Sequence, residues 1–215
     1  MSGKFFILCL CIGLLSAASR YPAELIKKIK SYPNIATKDE CLPRNKHITS
    51  ENNYICDPDG ILEPEEVDKL NANLKELNEF TNKDVTCSSS RPHPKFFVAL
   101  TDKIGINDIK KENMLKHASV FSYYLFKSWT DRNDCPQSRK GVIFYSKTDG
   151  VLYTFVGGLL QSKLPSDTLT DYAVESQSSF GNSISEGISF LVSKYNPVGL
   201  FYNMFYRDHA WHFLE

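Results

Sequence analysis

Residues 54–70 constrain the fold more than any other stretch of this chain. Tyr54-Ile55-Cys56 is a short apolar run, Asp57-Pro58-Asp59-Gly60 is a turn with two carboxylates, and Glu63-Pro64-Glu65-Glu66 opens a helix. Pro64 suits the first helical position, where a missing N–H costs nothing. Glu65 and Glu66 favour the positive end of the helix dipole. Val67, Leu70, Leu74 and Leu77 then recur at three- and four-residue steps, which place them on one face. An edge strand at 54–56, an acidic turn and an amphipathic helix ending near 80–82 follow one another, as at the opening of an α/β domain.

The remaining elements extend that unit. Phe96-Phe97-Val98-Ala99-Leu100 reads as a buried strand. The spacing predicts a helix over 107–129 with Ile109, Leu115, Ala118, Phe121, Leu125 and Trp129 facing inward. Gly141-Val142-Ile143-Phe144-Tyr145 is the next strand. An Asp149-Gly150 turn between apolar runs signals a hairpin into Val151-Leu152-Tyr153-Thr154-Phe155-Val156. Helices are predicted over 167–178 and 183–195, the second with Ile184, Ile188, Leu191 and Val192 inward and Ser183 as its N-cap. The order is β-α-β-α-β-β-α-α. Helices between the early strands imply parallel crossovers, and the hairpin adds an antiparallel strand. The expected fold is a three-layer α/β/α sandwich around a small mixed sheet.

The flanks differ from this domain. Residues 1–19 read as a cleaved secretory signal: Lys4, an uncharged apolar run from Phe5 to Leu15, then Ser16-Ala17-Ala18-Ser19. An uncleaved anchor is the alternative, but the run falls short of the ~20 residues a span needs. No later stretch reads as a transmembrane helix, so the mature chain is expected to be secreted and extracellular. Residues 20–53 read as an irregular N-terminal arm, with a short amphipathic stretch at Leu25, Ile26 and Ile29 and a polar, loop-like part over 37–53. Residues 54–196 form the domain, and 197–215 an aromatic tail. Charge is balanced, 25 Lys and Arg against 25 Asp and Glu, which leaves no basic field for nucleic acid.

Of six cysteines, Cys9 and Cys11 leave with the signal, and Cys41, Cys56, Cys87 and Cys135 remain. In an exported chain these suggest two disulfides. Zinc is the competing reading, but there is no Cys-x-x-Cys pair and no His at ligand spacing from a Cys. In the expected topology Cys87 and Cys135 lie in loops at the same end of the sheet, while Cys56 lies at the other end, near Cys41. The favoured pairing is Cys41–Cys56 with Cys87–Cys135.

Several strings together resemble a known family. They are Cys56-Asp57-Pro58-Asp59-Gly60-Ile61-Leu62, Thr86-Cys87, Asp134-Cys135, the run from Gly141 to Asp149, and Val156-Gly157. They resemble the nematode modulator-of-levamisole-receptor family, a secretory branch of the TPM-domain superfamily, over about residues 32–195. The resemblance implies a TPM-like fold. It also implies a non-enzymatic auxiliary module that modulates a levamisole-sensitive, acetylcholine-gated pentameric channel through its extracellular domain. Plant members of the wider superfamily imply an alternative, a metal-assisted acid phosphatase.

Candidate chemistry is sparse. Asp57 and Asp59, joined by Asp134 or Asp149, are candidate ligands for Ca2+. They miss the EF-hand pattern, because Gly60 is the fourth position from Asp57 and the sharp turn needs Gly at the sixth. The plainer reading is that both carboxylates accept turn amides. His209 and His212 share a helical spacing but have no third ligand nearby; His47, His93 and His117 are expected on the surface. No Gly-x-Ser-x-Gly nucleophile motif or phosphate-cradling Gly loop occurs. In the tail, Tyr202, Phe205, Tyr206 and Trp211 are candidate partner-binding residues, because dense exposed aromatics mark contacts.

Overall fold

A computed structural model of the chain describes residues 21–43, 53–79, 95–105, 111–129 and 139–195. Its elements in chain order are α1 (Ala23–Ser31), α2 (Lys38–Cys41), β1 (Ile55–Cys56), α3 (Pro64–Glu79), β2 (Lys95–Thr101), α4 (Lys111–Ser128), β3 (Lys140–Ser146), β4 (Val151–Val156), α5 (Gly158–Gln161), α6 (Ser166–Glu175), α7 (Gln177–Asn182) and α8 (Ile184–Tyr195). Among the described residues the strands form one sheet in the order β1-β2-β3-β4. β1, β2 and β3 run parallel, and β4 returns antiparallel to β3. The α/β sandwich expected from the sequence is the fold observed.

Two layers of helix cover the sheet. On one face α4 packs on β3 and β4, with α1 beside it. Phe121 stacks on Phe144 at 4.6 Å, and Phe126 and Tyr123 meet Phe155 at 4.9 and 5.4 Å. On the other face α3 and α8 pack together with α6 and α7 alongside. There Tyr195 stacks on Phe96 at 5.0 Å and Phe180 on Tyr145 at 5.0 Å. Phe96 faces one layer and Phe97 the other, as the two-residue period of a strand requires.

Helix α3 forms as its sequence dictates. Val67, Leu70, Leu74 and Leu77 are all buried. Glu66 reaches back to accept the Glu63 N–H at 3.0 Å, which supplies an acceptor to the first turn. Two buried asparagines on the same helix tie it to the strands. Asn71 Oδ1 accepts the Tyr54 N–H at 3.0 Å. Asn78 accepts the Phe96 N–H at 2.8 Å and donates to the Phe96 carbonyl at 3.0 Å. At the far side, the Ser183 hydroxyl accepts the Glu186 N–H at 3.1 Å, the N-cap expected for α8. Gly141 lies opposite Phe96 in the ladder, and a Cβ there would sit 2.3 Å from the Phe96 ring, so only glycine fits.

The structure departs from the sequence reading in the arm and along α4. Residues 23–31 are a regular helix, and Leu25, Ile29, Tyr32 and Ile35 enter the core. Ala118, Phe121 and Leu125 on α4 and Trp129 just after it are buried as expected, but Leu115 is 55% exposed. Met114, one residue earlier, packs against the core in its place. The inward face follows a four-residue step back from Ala118, and Leu115 falls on its flank. His117, expected on the surface, is buried. Ile109 lies outside the described residues.

Candidate functional site

The carboxyl ends of β1, β2 and β3 bring three loops together, and ligands of α/β proteins commonly bind at this end. Asp57 and Asp59 follow β1, Asp102 follows β2, and Asp149 sits in the hairpin after β3. Each reaches this end by its short turn, and each is engaged there.

Asp57 is buried and closes its own turn. One carboxylate oxygen accepts the Ile61 N–H and the other the Leu62 N–H, both at 2.9 Å. Gly60 supplies the left-handed conformation that the turn needs, with φ at 63°. Burial raises the Asp57 carboxyl above its ordinary value, outweighing the amides that favour the ion. Asp59 bridges loops. It accepts the Thr101 hydroxyl at 2.7 Å and the Asp102 N–H at 2.8 Å, with Lys28 of α1 at 3.7 Å. Burial pushes this carboxyl up, but the Asp102 amide, the Thr101 hydroxyl and Lys28 outweigh it and hold it below the ordinary value.

The next loops interlock the same way. Asp102 accepts the Thr148 hydroxyl at 2.9 Å, and its carbonyl accepts the Thr148 N–H at 2.8 Å. Asp149 accepts the Ser146 hydroxyl and the Ile104 N–H, each at 2.7 Å. Tyr32 seals the cluster from below. Its hydroxyl lies 2.8 Å from the Cys56 carbonyl and 2.7 Å from that of Leu100, where it serves both as donor. Burial first, then the charges of Asp57 and Asp59, keep this phenol protonated well above its ordinary range. A disulfide joins Cys41 to Cys56 directly before Asp57, and the Asp57 N–H donates to the Cys41 carbonyl at 2.7 Å.

This arrangement binds loops to one another. Asp57, Asp59 and Asp149 of the Ca2+ reading all lie at this end, but their oxygens take turn amides and hydroxyls, and Asp134 lies outside the described residues. Among the described residues no three His, Cys, Asp or Glu side chains are placed to hold one metal ion. Cys87 and Cys135, His209 and His212, and the tail residues Tyr202, Phe205, Tyr206 and Trp211 also lie outside them. No described helix is long and apolar enough to cross a membrane. Lys28, Tyr32, Thr101, Asp102 and Thr148 belong to the cluster and were missed from sequence. The Asp57-Pro58-Asp59-Gly60 turn and the Ser146-Lys147-Thr148-Asp149 string carried the local signals for it.

Comparison with known proteins matches residues 27–150 to the family described as modulator of levamisole receptor-1. The match starts earlier than the resemblance read from the motifs and ends sooner, at the β3–β4 turn. It takes in the second half of α1, the disulfide and every residue of the acidic cluster. No curated protein and no solved structure matches the chain. With more than half of its residues matched, this chain belongs to the modulator of levamisole receptor-1 family.

Proposed function

We propose that this protein is a secreted, non-enzymatic accessory protein. It binds the extracellular part of a levamisole-sensitive, acetylcholine-gated channel and alters that channel's response. The family match over residues 27–150 carries the proposal. The leader-like residues 1–19 and the disulfide between Cys41 and Cys56 suit an oxidising, extracellular setting. The acidic cluster supports a binding role over a catalytic one, because its carboxylates are held by backbone amides and hydroxyls.

A binding protein changes gating only through a difference in affinity between channel states. Holding the open state tenfold more tightly shifts the equilibrium by about 1.4 kcal/mol. The test is co-expression of the full chain with an acetylcholine-gated channel, with current amplitude and co-purification as readouts. A larger levamisole response with channel subunits captured on the protein supports the proposal. Unchanged currents and no capture overturn the receptor role. Hydrolysis of p-nitrophenyl phosphate that disappears on Asp57→Asn or Asp59→Asn, with the fold retained, overturns the non-enzymatic part.

A further inference from the structure

Among the described residues β4 is an outer strand and pairs only with β3. Gly141 lies opposite Val156, so Lys140 lies opposite Gly157, and the Gly157 N–H donates to the Lys140 carbonyl at 2.8 Å. Opposed residues in an antiparallel ladder alternate between pairs that exchange both bonds and pairs that exchange none. Tyr153 and Phe155 therefore bond to β3, while the N–H and C=O groups of Leu152, Thr154 and Val156 point outward. Among the described residues no backbone bond reaches them from that side. Natural edges are protected by Lys, Pro, bulges or a covering segment. β4 reads Val-Leu-Tyr-Thr-Phe-Val, with no charge, proline or glycine, and its register with β3 is unbroken.

The flank of α4 supplies a second observation. Leu115, Ser119, Tyr123 and Phe126 recur at helical spacing and form one stripe. The Tyr123 and Phe126 rings lie against Phe155 of β4, so the stripe runs over that strand. Leu115 is nevertheless 55% exposed and Tyr123 42%. Exposed apolar side chains thus share a helix stripe with the rings that pack on β4, whose edge is unpaired among the described residues.

We infer that the outer edge of β4, with the α4 stripe above it, is a pairing surface for a second copy of this chain. The copies pair antiparallel about a two-fold axis at Thr154. Thr154 faces Thr154 of the second copy, and Leu152 faces Val156. This register satisfies the outward N–H and C=O groups of all three residues on both copies. The strand can pair with its own copy because positions 152 and 156 are equidistant from Thr154 and both are aliphatic. A two-fold axis normal to the sheet also brings α4 beside α4, so the exposed Leu115 and Tyr123 gain apolar neighbours. Edge pairing alone buries little against the roughly 1,200–2,000 Å² of a stable interface, and the helical stripe supplies further area. Without residues 1–19, and so without Lys4, each copy has 24 Lys and Arg against 25 Asp and Glu, a formal charge of −1, so net repulsion between two copies is slight.

The test is sedimentation of the full secreted chain over a concentration series, with residue-resolved amide exchange. A dimer is expected in which the amides of Leu152, Thr154 and Val156 slow as concentration rises, while those of Tyr153 and Phe155 are slow throughout. Thr154→Pro removes the central donor from both copies and weakens the dimer on the order of 10- to 100-fold. Should that variant misfold, Leu115→Glu places a carboxylate on each facing stripe at an exposed position and weakens the dimer, while its melting temperature matches the parent's at concentrations where both are monomers. A monomer at all concentrations overturns the inference. That holds whether the edge amides exchange freely, are covered by residues 196–215, or slow only on adding a channel ectodomain. A dimer in which the Leu152, Thr154 and Val156 amides remain fast overturns it too, since another surface then pairs.

Discussion

The two edges of the sheet are treated in opposite ways. At the β1 edge the chain has closed the backbone. Asn53 accepts the Ile55 N–H at 3.2 Å and donates to the Ile55 carbonyl at 2.7 Å, Asn71 takes the Tyr54 N–H, and the Cys41 carbonyl takes that of Asp57. A disulfide then fixes the segment carrying Cys41 against the strand. At the β4 edge none of these devices is present among the described residues, and the strand is three times as long, six residues against two. An unpaired edge is a standing invitation to another strand. One edge is sealed with side chains, a carbonyl and a cross-link, and the longer one has no such closure among the described residues. The proposed pairing of two copies through β4 rests on this contrast.

The largest expected effect falls on the sealed edge. Cys41→Ser with Cys56→Ser opens a loop of sequence separation 15, and a loop of that size contributes about 3 kcal/mol through the unfolded chain. Thermal denaturation of the variant and parent is the measurement, and an unchanged melting temperature would show that the arm holds without its bond. Next come the side-chain caps. Asn71→Ala strands the buried Tyr54 N–H, and Asp57→Asn turns an amide NH2 toward the Ile61 or Leu62 N–H. Each costs about 1–3 kcal/mol in denaturant titrations, because a buried donor is left facing no acceptor. Under β4 the expected effect is smaller. Tyr195→Phe removes the 3.0 Å contact with the Thr154 hydroxyl but keeps the ring stack on Phe96. A loss of about 1 kcal/mol follows, and a loss as large as that of Asn71→Ala would mean that β4 is anchored as firmly as β1.

The same contrast explains what the sequence disclosed. Helix α3, the buried strands, the hairpin and the N-cap of α8 were legible because their signals are local: periodicity, Pro64, Asp149-Gly150 and Ser183. Asp57 and Asp59 were legible as turn residues for the same reason. Lys28 and Tyr32 were not. Tyr32 meets Leu100 across 68 residues, and nothing in its neighbourhood announces that contact. Asp102 and Thr148 meet across 46 residues, visible only once β2 and β3 lie side by side. Leu115 misled for a related reason: periodicity puts it near the inward stripe, but whether a flank is covered depends on what lies beyond β4.

The smallest effect is the acid response of the sealed end, where its two aspartates act in opposite senses. The Asp59 carboxyl is held below its ordinary 3.8, so it stabilises the fold only when ionised. That contribution is present above pH 3.8 and is lost as pH falls through the depressed value. The Asp57 carboxyl is raised by burial, so its contribution is fully present below 3.8 and is lost as pH rises through the raised value. Melting temperatures measured from pH 6 down to pH 3 separate the two. Asp59→Asn should lose less stability on acidification than the parent, because the carboxylate that must stay ionised is gone. Asp57→Asn should lose more, because the group that gains from acid is gone. Solvent screens Asp59, so its change is the fainter. Profiles bending the same way for both variants would mean that the cluster titrates as one unit, and that the β1 edge is sealed by its charge balance more than by its individual turns.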